Sequence, residues 1–286
     1  MKKNNNTFNF RKYHGTGNDF VVFPANELPD MEDELRRIVF SRWCHRRFGI
    51  GADGVIIVGK GKEDLDFEMI YFNADGRKAS FCGNGSRCAV QFAKKTGLVA
   101  GNSCRFHFGE DTYEAKILKE TISVKMKNIE QFHFNQRGMV LDTGSPHLVI
   151  DMKGDELSEE ELRKEAVYWR ESPEFAPGGT NVNFVRRGVG EGTFYLHTYE
   201  RGVEDFTFSC GTGAVATAAY LAVKHNVSGE IGLETKGGKL VVTLGQKTKS
   251  GFENIWLSGP AVEVFRGSVG YESESSNFDS AANSSL

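Results

Sequence analysis

The sequence lacks the features that mark exported, membrane-bound or nucleic-acid-binding proteins. Its 286 residues include no apolar run long enough to cross a bilayer, and the opening MKKNNNTFNF has no apolar core of the signal-peptide type. The 35 basic and 38 acidic residues give a formal net charge of -3, and no long basic run occurs, which argues against nucleic-acid binding. We therefore expect a cytoplasmic protein that binds neither membranes nor nucleic acids.

Cysteine is scarce, and its spacing excludes two common uses. Five cysteines, an odd number, in a chain without an export signal argue against a disulfide framework. Because no C-x-x-C or H-E-x-x-H spacing occurs, we expect no metal site. Cys44, Cys88 and Cys104 are expected to be buried as small apolar side chains. Cys82 and Cys210 stand in a different local context.

Short β-strand patterns alternate with four helix patterns, which indicates an α+β fold. Runs rich in Val, Ile, Phe and Tyr predict strands at residues 8–13, 19–23, 55–58, 67–72, 113–118, 122–126, 140–142, 148–150, 181–185, 193–199, 239–244 and 261–265. Helices are predicted at residues 32–46, 85–95, 158–169 and 211–225, the third with a capping box formed by Ser158 and Glu161. Residues 1–6 and the Ser-rich tail 272–286 are expected to be disordered.

Three motifs occur twice, in the same order and at nearly constant spacing. The run TGNDFV at residue 16 recurs as TGSPHL at residue 143, and YFNADG at residue 71 recurs as TYERG at residue 198, with one shared offset (143 − 16 = 198 − 71). The run CGNG at residue 82 recurs as CGTG at residue 210, where the offset is longer by a single position. We infer two copies of one unit, with a boundary near residues 128–138 and with equivalent residues facing each other across the cleft between them.

Cys82 and Cys210 each directly precede a glycine-rich helix start. The unpaired N–H groups of a first helical turn, together with the helix dipole, favour an anion such as a carboxylate or a thiolate. We therefore expect both thiols to titrate below the free value of about 8.5. If the two copies face each other, both helix starts could hold one carboxylate, with the α-carbon between the sulfurs. One thiolate would remove the α-proton and the opposite thiol would donate one, which inverts the carbon without a cofactor.

An ordered set of motifs resembles the diaminopimelate epimerase family. The motifs extend over residues 8–265 and are HGTGNDF from residue 14, FNADG from 72, CGNGSRC from 82, GSPH from 144, TNVN from 180, YERG from 199 and CGTG from 210. The resemblance implies two similar domains, each a curled, barrel-like β-sheet around a central helix. Because the C-terminal end is expected to return to the first domain, that domain would comprise residues 1–130 together with 266–286, and the second would comprise residues 131–265. It also implies an isomerase that acts on a small amino-acid substrate without a cofactor or a metal, frequently as a homodimer.

The resemblance further implies roles for individual residues. Cys82 and Cys210 would be the acid/base residues, with His147 and Glu200 supporting the chemistry. The other positions would bind substrate: the reacting carboxylate at Gly83, Asn84, Gly211 and Thr212, and the remaining amino and carboxylate groups at Asn18, Asn73, Ser145, Asn181, Glu200 and Arg201. A guanidinium can hold a carboxylate through two hydrogen bonds, and a carboxylate can accept from an ammonium group.

Four positions depart from the family's pattern. Ser145 stands where many members have Asn, Gly54 where some have Gln, Phe206 where a polar or acidic residue is more frequent, and Phe265 in place of a tyrosine that some members use in dimer contacts. The expected reaction is conversion of L,L-diaminopimelate to meso-diaminopimelate, for lysine and peptidoglycan precursors. Because these departures bear on the far end of the substrate, a histidine- or proline-type racemase and a non-catalytic metabolite-binding protein remain alternatives.

Overall fold

The computed structural model describes residues 7–152, 158–188 and 192–270. The segments 1–6 and 272–286, predicted to be disordered, lie outside this range. Within it, seventeen β-strands form one continuous sheet that curls around two central helices. None of the described helices is both long and apolar enough to span a bilayer.

The elements of the first half run from β1 to β7. They are β1 (Thr7–Gly15), β2 (Asn18–Pro24), a 3-10 turn (Ala25–Glu27), α1 (Asp33–Cys44), β3 (Gly54–Lys60), β4 (Phe67–Asn73), α2 (Gly83–Lys95), β5 (Ser103–Phe108), β6 (Asp111–Ile117) and β7 (Ile122–Met126).

The elements of the second half run from β8 to β17. They are β8 (Phe132–Phe134), β9 (Met139–Asp142), β10 (Pro146–Asp151), α3 (Glu159–Arg170), a 3-10 turn (Pro173–Phe175), β11 (Asn181–Arg187), β12 (Thr193–Glu200), β13 (Asp205–Phe206), α4 (Gly211–Lys224), β14 (Glu230–Thr235), β15 (Gly238–Thr243), β16 (Ile255–Gly259) and β17 (Val262–Gly270).

The twelve predicted strands and the four predicted helices are all present, with ends shifted by a few residues. The predicted capping box at the start of α3 is formed, since Ser158 and Glu161 each hydrogen bond to the other's backbone. Five strands were not predicted: β5, β8, β13, β14 and β16. Helix α2 begins two residues earlier than predicted because the Cys82 side chain caps it.

The two halves have the same strand order and the same strand directions. β2, β3 and β4 pair parallel and then antiparallel, and β10, β11 and β12 do the same. The strand register is also repeated. Val21 lies opposite Val55 in the first half and Leu148 lies opposite Val182 in the second, and the two members of each pair are shifted along the chain by the same number of residues (148 − 21 = 182 − 55). The fold is therefore a two-domain mixed α/β fold built by duplication; the domain boundaries stated above stay a prediction.

Two strand pairs join the halves. β7 and β16, which are equivalent strands, pair antiparallel, with Val124 opposite Leu257 at the centre of the ladder. The last strand, β17, returns to the first half and pairs antiparallel with β1. The sheet therefore passes from one domain to the other without a break.

Helices α2 and α4 form the centres of the two domain cores. The sequence of α4, GTGAVATAAYLAVK, is small and apolar on nearly every face, which is typical of a helix surrounded by other elements. It packs in a cluster with residues of the second half of the sheet, and α2 packs in the corresponding cluster of the first half. The predicted burial of Cys44, Cys88 and Cys104 is confirmed.

Gly54, at the start of β3, stands where no side chain can be accommodated. A Cβ there would lie 2.3 Å from the Phe72 carbonyl oxygen and 2.5 Å from a ring carbon of Tyr71. Gly59, on the same strand, would place a Cβ no closer than 3.1 Å to its neighbours. We expect Gly54→Ala to lower the free energy of unfolding by about 1–3 kcal/mol, the usual cost of overpacking, and Gly59→Ala to lower it much less. Urea unfolding of both variants measures this; equal losses would contradict it.

Candidate active site

Cys82 and Cys210 occupy equivalent positions at the starts of α2 and α4. Each is the N-cap residue of its helix in an extended backbone conformation. The Cys82 sulfur accepts a hydrogen bond from the Gly85 N–H at 3.4 Å, and the Cys210 sulfur accepts one from the Gly213 N–H, also at 3.4 Å. Each sulfur therefore lies in the field of a helix N-terminus.

The two helix starts touch each other through glycine. A Cβ on Gly211 would lie 3.6 Å from the Cα of Gly83, so the absence of side chains at these positions lets the two backbones approach each other closely. The Leu257 Cδ2 atom covers both glycines, at 2.9 Å and 3.0 Å from the Cβ positions they lack. A side chain at either position would collide first with the end of Leu257. The predicted meeting of two cysteine-bearing helix starts is therefore present in the fold.

The expected direction of the thiol pKa values is wrong. Burial raises the pKa of both Cys82 and Cys210, and the backbone N–H groups of Gly85 and Gly213 only partly offset it. The helix-start argument considered the field of the backbone and left out the loss of water around the sulfur, which disfavours a thiolate. In this state of the protein both sulfurs are held as thiols more strongly than free cysteine.

Glu200 is the acidic residue with the strongest effect on the two thiols. After burial, its charge is the largest influence that raises the pKa of Cys210, and it also raises the pKa of Cys82. The Thr207 hydroxyl donates a hydrogen bond to the Glu200 carboxylate, and burial raises the pKa of this carboxyl as well. A cation bound beside Glu200 would remove part of the electrostatic cost of forming a thiolate.

His147 is fully buried and neutral. Asn183 Nδ2 donates to the His147 Nδ1 at 3.0 Å and to the Leu148 carbonyl at 3.1 Å, and the Thr198 hydroxyl donates to Asn183 Oδ1 at 2.9 Å. The ring proton therefore lies on Nε2, which has no partner among the described residues. Burial, reinforced by the charge of Arg201, lowers the pKa of His147 to about 3. His147 can donate one hydrogen bond but does not act as a cation at neutral pH.

Asn18 links the first thiol to a charged cluster. Its Nδ2 donates to Asp53 at 2.6 Å, which turns its Oδ1 toward the Cys82 sulfur at 3.7 Å. Arg46 bridges Asp53 and Asp19. The second amide beside this thiol, on Asn84, donates to the Ser209 backbone and side-chain oxygens at 3.1 and 3.0 Å and reaches Asn18 Oδ1 at 3.5 Å.

Asn181 organises the equivalent edge of the second half. Its Nδ2 donates to Ser145 Oγ at 2.8 Å and to the Pro146 carbonyl at 2.9 Å, while its Oδ1 accepts from the Arg201 N–H at 2.9 Å. Both amide hydrogens are therefore engaged within the protein, and a ligand could use only a carbonyl lone pair. The Arg201 side chain is exposed, and its hydrogen bond to Gly178 is long at 3.5 Å.

Asn73 and Thr212 complete the predicted set. Asn73 ends β4 opposite Gly54, and its exposed side chain makes no hydrogen bond to another described residue. The Thr212 hydroxyl lies 3.4 Å from the Cys210 sulfur. Sheet register and helix starts thus bring the predicted residues of each half to one edge of the curled sheet.

The departures from the family's pattern have structural counterparts. The Tyr71 ring fills the space beside Gly54, and burial together with Cys82 raises the pKa of its hydroxyl. Phe206 is partly buried and packs against the second-half core, with its ring centre 5.5 Å from that of Tyr199. Phe265 lies half-exposed on β17 with its ring 5.9 Å from that of Phe10.

Sequence reasoning did not assign roles to several residues that contact the predicted site. Asp53, Ser209, Asn183 and Thr198 hold predicted residues in place, and Arg87 lies beneath Asn84. Ser209 directly precedes Cys210, and Arg87 lies inside the CGNGSRC motif. Their proximity in sequence to the two cysteines could therefore have indicated that these two residues contact the site. Within residues 7–152, 158–188 and 192–270, no group of three or more His, Cys, Asp or Glu side chains is arranged to hold a metal.

Solved structures with the same fold have low sequence identity to this chain. A PhzF-family phenazine biosynthesis protein from Bacillus anthracis superposes with a TM-score of 0.73 at 15% identity, covering 93% of this chain and 99% of the other. A hydroxyproline epimerase from Agrobacterium vitis, solved with trans-4-hydroxy-L-proline, superposes with a TM-score of 0.66 at 14% identity, covering 95% and 94%. These matches show the fold alone.

Sequence comparisons identify the family. The family model for diaminopimelate epimerase matches residues 10–130 and 139–264. The diaminopimelate epimerase of Flavobacterium psychrophilum is 41% identical over 260 residues, covering 90% of this chain and 98% of the relative. That of Chlorobaculum tepidum is 37% identical over 265 residues, covering 89% and 98%. The chain therefore belongs to the diaminopimelate epimerase family of isomerases.

Proposed function

We propose that this protein epimerises L,L-diaminopimelate to meso-diaminopimelate with Cys82 and Cys210 as its two acid/base groups and without a cofactor. The observation that supports this most directly is the pair of matched helix starts, each capped by a cysteine sulfur and touching through Gly83 and Gly211. In the cell the product would serve as a precursor of lysine and peptidoglycan. A cytoplasmic location and a homodimeric state stay predictions.

The reacting carboxylate is proposed to bind where the two helix starts meet. The backbone N–H groups at Gly83–Asn84 and Gly211–Thr212 would donate to its oxygens. Removal of the α-proton pushes electron density onto this carboxylate, and fixed donors in a site without bulk water stabilise such charge strongly. Small residues at the contact leave the backbone N–H groups accessible to the ligand.

The α-carbon would then lie between the two sulfurs. One sulfur, as a thiolate, takes the α-proton, and the other, as a thiol, gives its proton to the opposite face of the carbanion. The two cysteines have exchanged protonation states at the end of each turnover. Because burial and Glu200 both disfavour a thiolate, the substrate ammonium group bound beside Glu200 is proposed to help form it. The neutral His147 would contribute a hydrogen bond from Nε2.

The far end of the substrate is proposed to be recognised by Arg201, whose guanidinium is exposed and weakly engaged. A second carboxylate could accept two hydrogen bonds from it. Asn73 offers an unengaged amide, and Ser145 offers a hydroxyl held by Asn181. A substrate with one charged end would leave the guanidinium without a partner.

The decisive experiment follows α-hydrogen exchange in D₂O with L,L-diaminopimelate, histidine and proline as substrates. Inversion of diaminopimelate should be at least about a hundredfold faster than racemisation of the other two, the scale expected for a lost charged contact. Early in the reaction, the inverted carbon of the product should carry deuterium while the remaining substrate does not, because separate groups remove and return the proton.

Each other outcome has a definite meaning. Faster racemisation of histidine or proline would assign the related racemase activity. Absence of exchange with every amino acid tested would support the non-catalytic alternative. Deuterium in recovered substrate at the same rate as in product would contradict the two-base mechanism.

A further inference from the structure

Arg87 is a fully buried cation whose hydrogen bonds within the described part of the chain all go to neutral oxygen atoms. It lies on α2, one turn after Cys82, with no exposed surface. Its Nη2 donates to Asn84 Oδ1 at 2.8 Å and Thr16 Oγ1 at 3.2 Å. Its Nε donates to the Pro260 carbonyl at 3.3 Å and its Nη1 to the Gly83 carbonyl at 3.4 Å.

No carboxylate in the described part of the chain pairs with this guanidinium. Burial of a charge without an opposite charge is costly, and buried arginines are usually paired. The equivalent position of α4, at the offset that separates the two cysteines (215 − 87 = 210 − 82), is the apolar Val215, which is equally buried. A hydrocarbon side chain therefore suffices for packing at this place in the fold. Because burying the Arg87 charge costs free energy that Val215 avoids, we infer that the charge has a function, and that this function is confined to the first half.

Arg87 fixes the orientation of the Asn84 amide. Because a guanidinium only donates, its contact assigns the amide oxygen to the Arg87 side and the amide nitrogen to the opposite side. That nitrogen faces Ser209 and the Asn18 oxygen that contacts the Cys82 sulfur. The amide is also polarised by the cation, which strengthens its donor end.

We propose that Arg87 is a positioning residue that fixes the Asn84 side chain beside the Cys82 thiol and supplies the fixed positive charge that stabilises the Cys82 thiolate when it forms. The inference rests on the proposed function of this site, and it makes the two halves unequal. Burial has the largest effect on the pKa of the Cys82 thiol and raises it, whereas the Gly85 and Asn84 N–H groups and, to a smaller extent, the Arg87 charge lower it. The position that corresponds to Arg87 beside Cys210 is the uncharged Val215.

The test measures alkylation by iodoacetamide of Cys82 and Cys210 against pH in the full-length protein, with each site quantified by peptide mass spectrometry. In Arg87→Met the midpoint for Cys82 should rise by about one pH unit, and that for Cys210 should stay unchanged. In Arg87→Lys, which keeps the charge, the Cys82 midpoint should remain near that of the wild type. Circular dichroism and thermal unfolding show whether each variant is folded.

If Arg87→Met does not fold, Arg87→Gln replaces it in the test. The glutamine amide can still donate to Asn84 Oδ1 but carries no charge. Against diaminopimelate, the neutral variants should lose about a hundredfold in kcat with little change in KM, since the developing charge is what they fail to stabilise. Unchanged midpoints at both sites, or equal shifts at both, in a folded neutral variant would overturn the proposal. Because alkylation needs no substrate, this result is independent of whether the wild-type protein epimerises diaminopimelate.

Discussion

Cys82→Ala and Cys210→Ala should each lower the rate of epimerisation by at least about a thousandfold, within the range that positioned acid/base groups contribute. Alanine removes the only group proposed to reach one face of the α-carbon, so inversion cannot be completed. Each sulfur also accepts a backbone N–H hydrogen bond at its helix start, and loss of a helix cap typically costs about 1 kcal/mol. Both variants should therefore remain folded.

Cys88→Ala is the matched control for this experiment. Cys88 lies on the same helix as Cys82 and is fully buried in the first-half core. Its replacement should reduce stability modestly through a small cavity and leave the rate within about threefold. Initial rates and thermal unfolding of the three variants separate the two effects. Retention of a tenth or more of wild-type activity by either Cys82→Ala or Cys210→Ala would show that its thiol is not an obligatory acid/base group.

Gly213→Ala should be much more damaging than Gly85→Ala, although the two glycines are equivalent. A Cβ on Gly213 would lie 2.4 Å from Asn183 Oδ1 and 3.0 Å from the Thr198 hydroxyl, and these side chains hold His147. A Cβ on Gly85 would lie 3.3 Å from its nearest neighbour, the end of Ile56. The methyl group is therefore tolerated in one half and displaces a hydrogen-bonded network in the other.

We expect Gly213→Ala to lower kcat by about a hundredfold, the scale associated with a displacement of about 1 Å at a reacting centre. Its free energy of unfolding should fall by about 1–3 kcal/mol from overpacking. Gly85→Ala should stay within about threefold of the wild-type rate, and its stability should change by less than about 1 kcal/mol. Initial rates and urea unfolding measure both quantities. If Gly213→Ala kept nearly the wild-type rate, as Gly85→Ala is expected to do, the network around His147 would have no influence on the reaction.

Much of the fold could be predicted because most strands contain compact apolar runs bounded by glycine or asparagine. Strand β5, SCRFHF, alternates polar and apolar residues, which is the pattern of a half-buried strand; it was missed because the prediction relied on compact apolar runs. Strand β16 is five residues long, and its ladder with β7 joins residues that lie in opposite halves of the chain. Local patterns carry no information about such a partner, so the continuity of the sheet across the two halves could not be predicted.

The candidate site was predictable where its residues recur in both copies of the motif. The duplication indicated that Cys82 and Cys210 stand at equivalent helix starts, which the structure confirms. The predicted lowering of their pKa values was wrong, because the burial that raises these values depends on the whole fold and not on the local sequence. The contact between Asp53 and Asn18 joins residues 35 positions apart, and nothing in the local sequence of either indicates it.

The antiparallel ladder between the equivalent strands β7 and β16 is arranged about a local two-fold axis. This arrangement bears on how the two halves can contact a chiral ligand. Ile122 faces Gly259 at one end and Met126 faces Ile255 at the other, as at the interface of a symmetric dimer. Two identical subunits would have to present the same groups to both faces of a bound molecule. Fusion into one polypeptide removes this restriction, so that His147, Asn183 and Thr198 can stand in one half where Phe20, Ile56 and Tyr71 stand in the other. A chiral ligand, whose two sides differ, can thus meet a different environment on each side.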